Sequence, residues 1–388
     1  MRITCVHQGR ELYGSDRSFI ESVEAFRAAW PQAVIDVVLP GDGPIVGPLT
    51  SLASSISFEP LWILRRKDLP RLATLGLLRL PLAMARAARR IRQSDITYVN
   101  TSVIVDYSLA ARFHRGRVLT HVHEIPTGMV LKALGWMLRA SGAEIIFNSN
   151  ATKAAYELAP SARSHVIYNG IAGPARPEPM SYDGARPLRV LMLGRISRIK
   201  GQEILVGALA GLPDGLRQRV EVRIVGNAYE DQAREEALKA LVQARGLAGQ
   251  ISVTPFVADP GEHYRWADIV CVPSRLPESL GRVAIEAMSW GRPPLVSGIG
   301  GLTEIAQDGV CGWIVPPDQI APLSEKLARI ISHPENWRSH VPAARARYEA
   351  LFSKASVCAA LTGVVGAAMQ RNRGARPHSA AALIRDGA

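Results

Sequence analysis

A chain of 388 residues, 47% apolar and without a run of about 18 consecutive apolar side chains, excludes both a membrane-spanning helix and a disordered polymer. Domains of roughly 100–200 residues are the norm, so the length predicts two of them. A formal net charge of +12 calls for an anionic partner: nucleic acid, an anionic membrane face or a phosphorylated ligand.

The chain opens MRITCVHQG, a short strand pattern and not a secretory leader. Cys5, Cys271, Cys311 and Cys358 are scattered, with no CxxC pair and no metal-ligand spacing. Free thiols in a reducing, cytoplasmic compartment are therefore expected. Short apolar runs predict strands at 3–7, 34–39, 96–100, 118–123, 145–148 and 166–168, with amphipathic helical patterns between them, as at 18–29 and 108–113. Such alternation, with continuously apolar strands, predicts parallel sheets covered on both faces. Segment 61–93 carries nine Lys/Arg against one acid, interleaved with Leu, Ile, Trp and Met, and Pro70 and Pro81 are expected to divide it into short helices. An anionic bilayer surface suits this stretch, and an arginine-rich face packed on its own sheet suits it equally.

Residues 172–187, AGPARPEPMSYDGARP, have the composition of a linker. A second series of strands follows at 189–193, 220–225, 251–255, 269–273, 294–297 and 312–315. The chain thus reads as a first domain over 1–171, a linker over 172–187 and a second domain over 188–345. A helical segment over 346–370 is expected to pack back on the first domain, and 371–388 has the basic, small-residue composition of a disordered tail. In open α/β sheets ligands bind beyond the carboxyl ends of the strands, so every motif is sought there.

LMLGRISRIKG (191–201) is a strand, a Gly turn, then Arg195 and Lys200 ahead of a helix. Two cations there suit a diphosphate, and a basic surface turn fits the spacing as well. Lys200 precedes its Gly and no Ser or Thr follows, so this is not a Walker loop. PESLGRVAIEAMSWGRP (277–293) places Glu278 in a loop and Glu286 on the second turn of a helix expected over 282–290. Amides near Leu280 can meet an anion at that helix start, and a carboxylate one turn on can hold a ribose diol. An acid at a helix start plus a core-adjacent Glu explains each residue singly, though not the Gly300–Gly301 turn downstream.

Taken together, GRISRIKG and ESLGRVAIE, in this order and continuing to Pro317, resemble the GR-x4-KG and E-x7-E signatures of a family of retaining GT-B glycosyltransferases. That family includes glycogen-synthase-like and mannosyl-transferring enzymes. The resemblance implies a GT-B architecture, two Rossmann-like doubly wound domains facing across a cleft, acceptor-side first and nucleotide-sugar-binding second. It implies that Arg195 and Lys200 hold the donor diphosphate and that Glu286 binds the ribose. Glu278 would meet the transferred sugar, and the backbone of Ser279, Leu280 and Gly281 the phosphates. HQGRELYGSD (7–16) resembles the family's glycine loop, here with Gly14 and Ser15. His123 in THVHEIP matches the family's His near the sugar; His121 shares its strand face, but HEIPT is not HExxH and offers no third metal ligand.

The function so implied is hexosyl transfer from a nucleotide-diphosphate sugar to a glycan or lipid-linked acceptor with retention, in polysaccharide or glycolipid synthesis. No DxD-type pair stands out, so no metal or other cofactor is expected, and Arg195, Lys200 and the helix start would carry the charge. The basic 61–93 segment would set the enzyme at the inner face of the plasma membrane. A sugar-nucleotide epimerase or a phosphorylase on the same fold is the alternative, although no cofactor lysine can be located. A basic non-enzyme that binds nucleic acid is disfavoured by the absence of an aromatic-interleaved basic stripe or zinc ligands.

Overall fold

The computed structural model describes the chain except Tyr13, 65–76, Pro160, 229–230 and 375–388. Every strand pair in it is parallel. The first sheet contains β1 (Arg2–Val6), β2 (Val34–Leu39), β3 (Ser55–Phe58), β4 (Ile96–Val99), β5 (Val118–Val122), β6 (Glu144–Phe147) and β7 (Ser164–Val166), in the order β3-β2-β1-β4-β5-β6-β7. The second contains β8 (Leu188–Leu193), β9 (Val220–Val225), β10 (Ile251–Thr254), β11 (Ile269–Val272), β12 (Pro294–Ser297) and β13 (Trp313–Val315), ordered β10-β9-β8-β11-β12-β13. Both orders reverse beside their first strand, at β1/β4 and at β8/β11. These are the switch points where doubly wound sheets bind ligands.

The strands are apolar throughout because both faces of each sheet are covered. In the first sheet, Ile3, Cys5, Ile35 and Val37 pack against Phe19, Val23 and Phe26 of helix Gly14–Ala29 and against Leu361 and Val365 of helix Lys354–Gly374. On the opposite face Val6, Val38 and Val99 meet Ala87 and Ile91 of helix Leu77–Gln93 and Tyr107 of helix Val105–Ala111. In the second sheet, Val190 and Met192 face Leu205 and Leu209, while Leu191 and Val270 face Ile285 and Met288. The chain divides into two compact units, one of Met1–Asn148, Thr152–Ile167 and Val357 onward, the other of Ser149–Ala151 with Tyr168–Ser356.

Several expectations need correction. Edge strand β3, SISF, is only four residues long and half-exposed, too short and too polar to stand out as an apolar run. β7 lies at Ser164–Val166 and not at 166–168, because it is placed by pairing with β6, Ile145 opposite Ser164. Pro81 does not divide its segment: it is the fifth residue of helix Leu77–Gln93, so it removes only one early bond of the ladder. Pro70 lies outside the described residues. Gly14 and Ser15 are the first residues of helix Gly14–Ala29 rather than loop residues. The final helix runs on through Gly374, four residues into the expected tail, where Arg371 pairs with Glu144 at 2.6 Å and Asn372 donates to Gly116 O at 2.7 Å.

Candidate functional site

The second unit gathers its polar residues where β8, β11 and β12 end. Gly194 follows β8 with φ 136°, a conformation that favours glycine, and opens the turn carrying Arg195. Gln202, almost wholly buried, fastens this turn by donating to Arg195 O at 3.0 Å. Arg275 N donates to Ile199 O at 2.7 Å, stitching the turn to the loop after β11. This brings Lys200 Nζ to 2.8 Å from Glu278 Oε1, and the same oxygen accepts from the buried Ser274 hydroxyl. Two residues 78 apart in sequence, each legible alone, thus form one ion pair. An ammonium carries three N–H donors, so Lys200 can keep Glu278 and still take a phosphate oxygen.

The Glu278 loop rests on the turn after β12. Gly301 N donates to Glu278 O at 2.8 Å. A Cβ on Gly300 would fall 2.8 Å from Glu278 N, and one on Gly301 would fall 2.6 Å from Leu280 Cα. Only glycine lets the two backbones approach so closely. Leu280 is a core side chain, packed with Leu302 and Ile305, so only its main chain can serve a ligand. Gly281, in the left-handed region at φ 93°, precedes helix Arg282–Ser289, which starts without a side-chain cap. Glu286, on that helix's second turn, accepts from the Tyr264 hydroxyl at 2.8 Å and lies 3.9 Å from Arg282 Nε. Burial, then the Glu286 carboxylate, push the Tyr264 phenol well above its ordinary pKa, so it stays a donor. Gln202, Tyr264 and Ser274 escaped sequence reasoning, since nothing in their local patterns distinguishes them from core residues.

In the first unit His123 follows β5 and is half-buried, with Nε2 2.9 Å from Asn100 Oδ1. His121, two residues back, is buried, has its ring centroid 4.0 Å from that of the tilted His123 ring and approaches the Tyr98 hydroxyl at 2.6 Å. Burial and then the nearby His123 hold its pKa well below 6.5, so it is a neutral ring. Among the described residues no group of three His, Cys, Asp or Glu is placed to hold a metal ion.

Residues 184–347 match the family model described as glycosyl transferases group 1. Over residues 184–347 the chain is similar to a group 1 glycosyl transferase domain. The D-inositol 3-phosphate glycosyltransferase of Nocardiopsis dassonvillei is 32% identical over 167 residues, 42% of this chain and 38% of that protein. Its counterpart in Geodermatophilus obscurus is 36% identical over 151 residues, 36% of this chain and 33% of the relative. The chain thus matches less than half the length of these curated relatives. Anabaena HepE, solved in complex with UDP, superposes with a TM-score of 0.76 at 22% identity, covering 95% of this chain and all of HepE. A Rickettsia africae glycosyltransferase gives a TM-score of 0.75 at 20% identity, covering 95% and 99%. These likenesses extend the GT-B fold over both units, and the matched residues 184–347 include Arg195, Lys200, Glu278 and Glu286.

Proposed function

We propose that the chain is a retaining glycosyltransferase that moves a hexose from a UDP-sugar to a glycan or lipid-linked acceptor. The observation that carries this reading is the Lys200–Glu278 pair past the ends of β8 and β11, with Glu286 on the helix that follows the Glu278 loop. Arg195, Lys200 and the amides of Ser279–Gly281 neutralise the diphosphate as it leaves, without a metal, and Glu286 takes the ribose hydroxyls. Glu278 orients the sugar, and the resemblance of its motif is what assigns His123 to a sugar. Uridine as the base rests on the likeness to Anabaena HepE, which was solved with UDP, with UDP and glucose, and with UDP-glucose.

Thermal unfolding with UDP, GDP and dTDP tests the base. A ligand at 100 times its Kd adds about 2.7 kcal/mol of stability, so UDP is expected to raise Tm and GDP not to. A shift with GDP alone overturns the choice of uridine. The Tyr264→Phe variant removes a hydrogen bond to a charged group, worth about 1.5–3 kcal/mol. Because it acts on ribose binding, KM for the donor is expected to rise about tenfold with kcat little changed, and a fall in kcat alone would count against Glu286 as the ribose group.

A peripheral site on the inner face of the plasma membrane is the second part of the reading. The five most exposed large apolar side chains among the described residues are Leu78, Leu82, Phe113, Met129 and Trp136. They lie on, or directly after, the helices Leu77–Gln93, Val105–Ala111 and Met129–Ser141, which connect β3 through β6. Exposed Arg79, Arg89, Arg112, Lys132 and Arg139 accompany them, and the one acid in these helices, Asp106, is buried. Cations around exposed apolar side chains suit an anionic headgroup layer. Of the basic segment foreseen at 61–93, residues 65–76 lie outside the described residues. Sedimentation with phosphatidylglycerol vesicles, but not with phosphatidylcholine vesicles, is expected. It should weaken about a thousandfold in Leu78→Ser/Leu82→Ser/Trp136→Ser, since burying each large apolar side chain is worth about 1.5 kcal/mol or more. Equal binding to both vesicle types would remove the electrostatic half of the proposal.

A further inference from the structure

Three neighbouring strands of the first sheet each end in a polar residue one step past the strand: His7 after β1, Asn100 after β4 and His123 after β5. His7 and Asn100 are fully buried, so each of their polar atoms needs a partner of the right polarity. The polarity can be followed from one end. Asp16, also buried, places Oδ1 2.8 Å from His7 Nε2. A carboxylate only accepts, so Nε2 carries a proton.

Asn100 Nδ2 lies 3.3 Å from His7 Nδ1 and 3.4 Å from the Ser15 carbonyl. The Ser15 carbonyl can only accept, so it demands the amide nitrogen on that side, and His7 Nδ1 beside that nitrogen is then an acceptor. The amide oxygen then faces the other way, 3.0 Å from the Tyr98 hydroxyl and 2.9 Å from His123 Nε2. A carbonyl oxygen is satisfied only by a donor, so His123 Nε2 must bear its proton.

We infer that Asp16, His7 and Asn100 form a buried relay that fixes His123 as the Nε2–H tautomer, leaving Nδ1 as the ring's only acceptor. All three are positioning residues, and their consequence for transfer rests on the assignment of His123 to the sugar. Two further features hold the relay. The His7 ring stacks on Phe19 at 4.7 Å and 11°, which sets its plane. Gly9 leaves the space that the His7–Asp16 pair occupies: a Cβ there would collide with Asp16 Oδ1 and lie 2.8 Å from His7 Nε2. Gly9 is therefore a position in this loop where only glycine fits.

The test is a long-range proton–nitrogen NMR spectrum of the full-length, nitrogen-15-labelled protein, with His123 assigned by its loss in His123→Gln. The wild type is expected to show a protonated Nε2 and an unprotonated Nδ1. Asn100→Leu and His7→Phe are expected to convert this into a mixture of tautomers and to lower transfer about tenfold, the worth of one hydrogen bond. Asn100→Asp, which keeps an acceptor oxygen toward His123, is expected to retain the Nε2 proton. A proton on Nδ1 in the wild type, or an unchanged tautomer in both Asn100→Leu and His7→Phe, overturns the relay. Should those variants fail to unfold cooperatively, the wild-type spectrum decides alone. The expected spectra with undiminished transfer by His123→Ala would leave the relay standing and remove His123 from the sugar site.

Discussion

Lys200→Ala is expected to lower kcat/KM for transfer by about 10²- to 10³-fold, the usual cost of removing one preorganised donor from a developing anion. Lys200 sits at the end of a turn that Gln202 and Arg275 hold in place, so its ammonium is aimed before any ligand arrives. Preorganisation is what makes such a charge effective, because no reorganisation is needed as the diphosphate leaves. The Lys200–Glu278 pair is partly buried, and Glu278 keeps the Ser274 hydroxyl as a donor when Lys200 is removed. The variant should unfold within a few degrees of the wild type, and its activity should not return on adding Mn²⁺ or Mg²⁺. Wild-type transfer is expected to survive EDTA. Activity retained in Lys200→Ala, or abolished by EDTA and restored by a divalent ion, would dismiss cationic side chains as the neutralising groups.

The second large effect is expected from Gly300→Ala. Gly300 has φ 60°, where an L side chain costs about 1–2 kcal/mol. Its new methyl would also meet Glu278 N at 2.8 Å, a backbone atom that cannot swing aside. The Glu278 loop must then move, and KM for the donor should rise at least about tenfold, since small displacements of positioning groups have that effect. Gly309→Ala isolates the conformational part: φ there is 72°, and a Cβ would meet nothing within 4 Å. That control should lose stability and keep its kinetics. If both variants behave alike, the close approach of the two loops is not what places Glu278.

Much of this arrangement was legible in the residues. Strands 34–39, 220–225 and 294–297 fall where their apolar runs predict, and Glu278 and Glu286 occupy the loop and the helix turn expected of them. A buried parallel strand needs an unbroken apolar run, and such runs are visible without knowing their partners. Edge strand β3 and the position of β7 were not visible, because an edge strand is specified by its neighbour's hydrogen bonds more than by its own side chains.

Sequence alone determined the two α/β halves, the Arg195–Lys200 turn and the two glutamates with their separate places, because each depends on spacing within one short segment. Tertiary structure decided which residues meet. It paired Lys200 with Glu278 and Glu286 with Tyr264, and it set the Glu278 loop on Gly300 and Gly301. It also lined up His7, Asn100 and His123 from strands far apart in sequence. Parallel strands are joined by long crossovers, so the residues just past their ends become neighbours only once strand order and register are set.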